Sequence, residues 1–286
     1  MTRGRDVMSV QWVTVGLSLL LSSVVVGCRD RRTRATPQSG VPSQTSVSRD
    51  ATGIPDLTVT RLPPGNPILI DGKLDEPAWR NAGSTGEFVN VANGARNENP
   101  TLGGRAWLAW DHDYLYLAID IHDANIRGDF PPDASDPHLW TESAAEVMID
   151  PDGDGDNRDY YEIQIGPQNL IFDSQFDTYN QPRSLPNGPF GHQEWTAGAQ
   201  TAVTLRGTLG DSKDVDDGYT IEARIPWRSF GKANSAPPRS GDTWRMNFYA
   251  MRNNGGLAWS PILGQGNFHK ASRFGRVKWL DSSSAR

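Results

Sequence analysis

An all-β fold, an antiparallel β-sandwich of jelly-roll-like build with one or two short helices, is predicted by three features of the 286-residue sequence. Apolar residues almost nowhere recur at helical spacing, short alternating runs bounded by Gly, Pro, Asp and Asn recur instead, and one hairpin is explicit. In that hairpin, residues 106–110 and 114–121 flank Asp111-His112-Asp113, and Leu115, Leu117, Ile119 and Ile121 share one face of the second strand.

Residues 1–27 read as an export signal outside the folded part. Arg3 and Arg5 give a basic start, and residues 12–26 form an uncharged apolar run of 15, shorter than the roughly 18 that a spanning helix needs. Val25-Val26-Gly27-Cys28 resembles the lipobox of bacterial lipoproteins, which implies that Cys28 is acylated and becomes the mature N-terminus. As the chain's single cysteine it has no internal disulfide partner, and anchoring gives it a purpose. Arg29 follows it where aspartate would signal inner-membrane retention, so the expected location is the outer membrane, on either face. Residues 28–56, rich in Arg, Ser, Thr, Pro and Gln, bury too little apolar surface to offset chain entropy and read as a disordered tether. The remainder, 57–286, suits one sandwich domain.

Seven of the 28 basic and four of the 34 acidic residues precede Leu57, which leaves the domain at net −9. That charge repels phosphate backbones, so nucleic acid is not an expected partner, whereas a neutral ligand meets no penalty. Further strands are expected at 144–150, 160–165, 170–173, 199–205, 219–225, 243–251 and 274–279. Short helices are expected at 76–82, where Pro77 takes the first position, and at 227–230.

Alternation sets Tyr161, Ile163 and Ile165 against Glu162 and Gln164, Val147 and Ile149 against Glu146 and Met148, and Trp244, Met246 and Phe248 against Arg245, Asn247 and Tyr249. Two readings fit this pattern: a solvated outer face, or a concave sheet lined with hydrogen-bonding groups.

Several segments resemble the family 9 carbohydrate-binding modules. They are residues 70–79 (Ile-Asp-Gly-Lys-Leu-Asp-Glu-Pro-Ala-Trp), 110–116, Leu139-Trp140 followed by 145–154, then 160–165 and 222–227, and the closing Phe268-His269 with Phe274-Gly275. In order, they run from about Ile68 to Trp279. The resemblance implies sugar binding without cleavage, with two tryptophans, Trp140 and Trp259, forming a slot around a terminal pyranose whose apolar C–H face lies on indole. It also implies that Glu146 is a sugar-binding carboxylate, with Glu162, Gln164, Asn247 and Arg252 as further candidates from the polar face and its rim. Where the family commonly has aspartate shortly before this glutamate, the chain has Ser143-Ala144-Ala145. Hydrogen bonds worth about 1–3 kcal/mol each, with two stacking contacts, would give affinities between roughly millimolar and micromolar.

Asp150, Asp152 and Asp154 begin like a calcium loop, but the twelfth position is Tyr161 in place of glutamate; the resemblance implies structural calcium as a possible cofactor all the same. The histidines at 112, 122, 138, 192 and 269 lack helical pairing and read as structural. Two other functions compete with sugar binding: glycan hydrolysis by paired carboxylates such as Glu146 and Glu162, and a redox, cofactor or structural envelope module, for which Met148 and His122 are the conceivable axial ligands.

Overall fold

The structure, a computed structural model, describes residues 48–179, 181–183 and 190–282. The export signal, Cys28 and the tether up to residue 47 lie outside the described residues. In chain order the strands are β1 (Ser48–Arg49), β2 (Pro55–Thr60), β3 (Gly83–Glu87), β4 (Val89–Asn90), β5 (Leu102–Trp110), β6 (Tyr114–Asp123), β7 (Ser143–Asp150), β8 (Arg158–Ile165), β9 (Ile171–Thr178), β10 (Gln200–Arg206), β11 (Gly218–Pro226), β12 (Thr243–Arg252), β13 (Gly255–Ala258) and β14 (Gly275–Leu280). Helical structure among the described residues is confined to short 3-10 turns, two of them at Pro77–Asn81 and Trp227–Ser229, where helices were expected.

Two sheets form the sandwich. One runs β1-β2-β14-β12-β7-β8-β9, with β13 and β4 branching from β12; the other runs β10-β11-β6-β5-β3. Pairing is antiparallel except between β2 and β14. The alternation read from sequence decides which side chains meet: Val147 and Ile149 of β7, Tyr161, Ile163 and Ile165 of β8, and Trp244, Met246 and Phe248 of β12 pack against Leu115, Leu117, Ile119 and Ile121 of β6 and Ile221, Ala223 and Ile225 of β11. Trp110, Trp227, Trp244 and Trp279 meet edge-on at one end of this core, with centroids 5.6–6.2 Å apart.

The domain starts earlier than expected. Residues 48–56, assigned to the tether, form β1 and the start of β2, and Arg276 of β14 clamps them. Its Nε and Nη2 donate to Asp56 at 2.7 and 3.0 Å, and its Nη1 donates to Asp50 at 2.9 Å. Polar composition concealed this segment because its ordering comes largely from a bidentate ion pair and a strand ladder, with Ile54 and Pro55 as its buried apolar groups.

Neither outer face is simply solvated. Beyond the five-stranded sheet, Ile68, Ile70, Ala78 and Trp79 cover Trp107, Ala109, Tyr116 and Ala118. Beneath them the Glu222 carboxylate accepts from the backbone N–H of Asp71 and Gly72 and from Trp79 Nε1, at 2.8–3.0 Å. Beyond the larger sheet, Leu139, Ile262, Ala271 and Phe274 cover Met148, Tyr160, Phe172, Tyr249 and Met251. The solvated reading of that face is therefore corrected: Glu146, Glu162 and Gln164 are 2%, 4% and 0% exposed.

Candidate functional site

The larger sheet's outer face supplies the floor of an open cavity of about 480 Å³. Pairing register brings the polar residues there together, since Glu146 of β7 lies opposite Gln164 of β8 and Met148 lies opposite Glu162. Gln164 Nε2 donates to Glu146 Oε2 at 2.8 Å and to Glu162 Oε1 at 2.6 Å. Holding both carboxylates turns the amide oxygen away from them, because a second acceptor facing two acceptors would be repelled. Glu146 Oε1 and Gln164 Oε1 are buried without a hydrogen-bond partner. Burial pushes the Glu162 carboxyl up to about 7, and burial together with the neighbouring Glu162 charge raises Glu146 well above the usual carboxylate range.

The walls are aromatic and come from loops. Trp140, half-buried in a 3-10 turn ahead of β7, contacts His138, Phe172 and Phe190 with ring centroids 4.4–5.6 Å apart. The turn between β12 and β13, where Asn253 and Asn254 adopt left-handed φ of 51° and 60°, holds this wall in place: Asn254 N donates to Trp140 O at 2.9 Å. A second group of rings gathers about His269, with Tyr160, Phe176 and Tyr179 at 5.0–5.8 Å. Outward tyrosines of the sheet fasten the loop that carries Phe268 and His269. Tyr160 Oη lies 2.9 Å from His269 Nδ1, and Tyr249 Oη donates to Phe268 O at 2.8 Å while its ring stacks on Phe268. Burial lowers His269 to about 4, so the ring is neutral near neutrality.

Four expected site residues, Trp140, Glu146, Glu162 and Gln164, thus line one cavity, and three do not. Trp259 is fully buried in the sandwich core, its backbone N–H bonded to Phe248 O at 2.9 Å and its ring 5.9 Å from that of Phe248. The expected slot between Trp140 and Trp259 does not exist. Asn247 spends its amide on Tyr249 Oη, Ser260 O and the N–H groups of Phe248 and Ser260, fastening the chain after Trp259. Arg252 pairs with Asp123 and bonds Thr101, away from the cavity.

Asp150, Asp152 and Asp154 do converge, with carboxylate oxygens within 4.8 Å of one another. Asp150 already accepts from the N–H of Gly153 and Gly155 at 3.3 and 2.9 Å, and burial with the nearby Asp152 pushes it up to about 8. A carboxylate crowded by a like charge and short of countercharge suits a cation, so these residues fit a calcium ion chemically. Met148 and His122 sit on different sheets and form no ligand pair; His122 bonds the carbonyls of Pro100 and Asp217.

A family model described as "Carbohydrate family 9 binding domain-like" matches residues 70–281. The chain belongs to that family. The structure of a family 9 carbohydrate binding module from Caldicellulosiruptor kristjanssonii in complex with cellotriose is similar in fold, with a TM-score of 0.50 at 17% identity, covering 81% of this chain and 97% of that one. A solved structure from Bacteroides uniformis gives 0.55 at 18% identity, covering 78% and 98%. In sequence, the exoglucanase XynX of Acetivibrio thermocellus is 26% identical over 172 residues, which is 59% of this chain and 12% of that much longer protein.

Within this family 9 domain, the cavity residues that sequence reasoning missed are Phe176, Tyr179, Phe190, Met251, Asn254, Asn267, Phe268 and His269. The signal for two of them was present, because Phe268-His269 closes the ordered series of family segments. His269, read as structural, lines the cavity.

Proposed function

We propose that the protein binds carbohydrate without cleaving it, with the terminal sugar seated in the cavity between the Trp140 and His269 ring groups. One observation carries this reading: hydrogen-bond acceptors without partners, on Glu146 and Gln164, lie on a floor walled by aromatic rings. A pyranose offers both complements, hydroxyl donors around its edge and an apolar C–H face. The family supports the reading, as does the sugar bound in the Caldicellulosiruptor structure. Hydrolysis would need two carboxyl groups flanking the scissile bond. Glu146 and Glu162 instead rise from neighbouring strands and share one amide, so they approach a ligand from the same side.

Titration with glucose, cellobiose and xylobiose, followed by tryptophan fluorescence, tests the reading. Saturable binding that weakens in Trp140→Ala is expected, and failure of these three together with amino and acidic monosaccharides would refute it. Release of reducing sugar from soluble glycans would turn the assignment to hydrolysis.

Two finer parts of the reading concern placement and calcium. Acylation at Cys28 would anchor the domain to the outer membrane, supported by the residue order Val25-Val26-Gly27-Cys28 after an apolar run; Cys28→Ser should abolish lipid labelling. Calcium at Asp150, Asp152 and Asp154 is supported by their convergence. It should raise the melting temperature of the protein, and Asp152→Asn should remove the rise.

A further inference from the structure

The cavity floor holds two buried carboxyls with no cation paired to either among the described residues. Glu146 and Glu162 are both more than nine-tenths buried, yet among the described residues no lysine or arginine lines the cavity. Neither Arg252, which pairs with Asp123, nor Arg245, which donates to the carbonyls of Gly153 and Phe274, lines the cavity. Among the described residues, Glu162 Oε2 has no hydrogen-bond partner, the nearest positive candidate being His269 Nε2 at 3.7 Å. That imidazole is neutral, and its Nδ1 is already engaged with Tyr160. Among the described residues, the floor atoms without a hydrogen-bond partner are carboxyl and amide oxygens: Glu146 Oε1, Gln164 Oε1 and Glu162 Oε2. The rings of Trp140, Phe176, Tyr179, Phe190 and Phe268 add the negative faces of their π-systems.

A neutral sugar satisfies part of this arrangement. Its hydroxyls can bond these oxygens, but it brings no positive charge to stabilise either carboxyl in its ionised form, and a uronic acid would add a third carboxyl. An ammonium group supplies three donors and one positive charge from a single atom, and it is attracted to aromatic faces. Building on the carbohydrate reading above, we infer that the cavity selects a sugar bearing a protonated amine, an amino sugar at a chain end, over its neutral and acidic counterparts.

The test compares glucose, glucosamine, N-acetylglucosamine and glucuronate by calorimetric titration slightly below neutral pH, where the free amine is protonated. Glucosamine should bind at least about tenfold tighter than glucose and N-acetylglucosamine, with glucuronate the weakest. Glu162→Gln should weaken glucosamine binding more than glucose binding, bringing their ratio close to one. The comparison of glucosamine with its N-acetyl form needs no variant, so it stands even if Glu162→Gln folds poorly. Equal affinity for glucosamine and glucose, or tighter binding of glucuronate, would overturn the amine preference while leaving carbohydrate binding intact. Failure of all four sugars, and of cellobiose and xylobiose, would overturn both.

Discussion

Gly275 lies directly against the buried indole of Trp259: a Cβ at residue 275 would come within 2.4 Å of the ring carbon Cζ3. The first residue of β14 thus has no side chain because the ring occupies that space. Gly275→Ala is expected to lower unfolding free energy by about 1–3 kcal/mol through overpacking, and Trp259→Ala by about 3–5 kcal/mol through the cavity it leaves. Urea titration reads both. Sugar affinity of the folded fraction should stay at the parent level, because neither residue touches the cavity.

Trp140 should show the reverse pattern. Its indole is half-buried on a loop, so Trp140→Ala should cost about 1 kcal/mol of stability and weaken cellobiose binding by about tenfold or more. Fluorescence quenching on ligand addition should also be much reduced in this variant, since none of the other described tryptophans lines the cavity.

Glu146 and Glu162 give stability a pH dependence whose sign follows from their environment. Both carboxyls hold protons more tightly in the folded protein than in the unfolded chain, Glu162 at about 7 against 4.5. Their contribution is therefore fully present below 4.5 and is lost as pH rises through about 7. Glu222 and Asp150 are raised as well and act in the same sense. Melting temperature should fall between pH 5 and pH 8, and Glu162→Gln should flatten that fall, by roughly 3 kcal/mol at most. An unchanged slope would show that Glu162 is ionised throughout.

Truncation tests where the domain begins. A chain starting at Ser48 keeps the Arg276 clamp on Asp50 and Asp56, whereas one starting at Leu57 loses both acids, β1 and the first two residues of β2, and keeps only Leu57–Thr60 against β14. The shorter chain should melt several degrees lower, and Arg276→Ala in the longer chain should reproduce part of that loss.

The sandwich was legible because strand alternation records burial residue by residue. Every side chain assigned to the inner faces of β7, β8 and β12 from that pattern is in the core. The outer face was ambiguous because the pattern shows only that Glu146, Glu162 and Gln164 share a side, while the cover comes from aperiodic loops carrying Leu139, Ile262 and Phe274. Trp140 and Trp259 each follow an apolar residue and precede a hydroxyl one, in Leu139-Trp140-Thr141 and Ala258-Trp259-Ser260, so these immediate neighbours do not separate them. What separates them is three-dimensional: β14 and β13 pair with successive parts of the same edge of β12, and the chain leaving β13 turns Trp259 inward beside Phe248. Asn247 likewise looks like a ligand contact until Ser260, thirteen residues on, takes its amide.

In the strand order β1-β2-β14-β12-β7-β8-β9, the cavity floor belongs to β7 and β8 near one end, and the chain joins the sheet at the other. A support coupled ahead of Ser48 would therefore grip the rim farthest from Glu146 and Glu162. Beads, sensor chips or a bilayer attached there should leave the mouth clear for long polymers to dock.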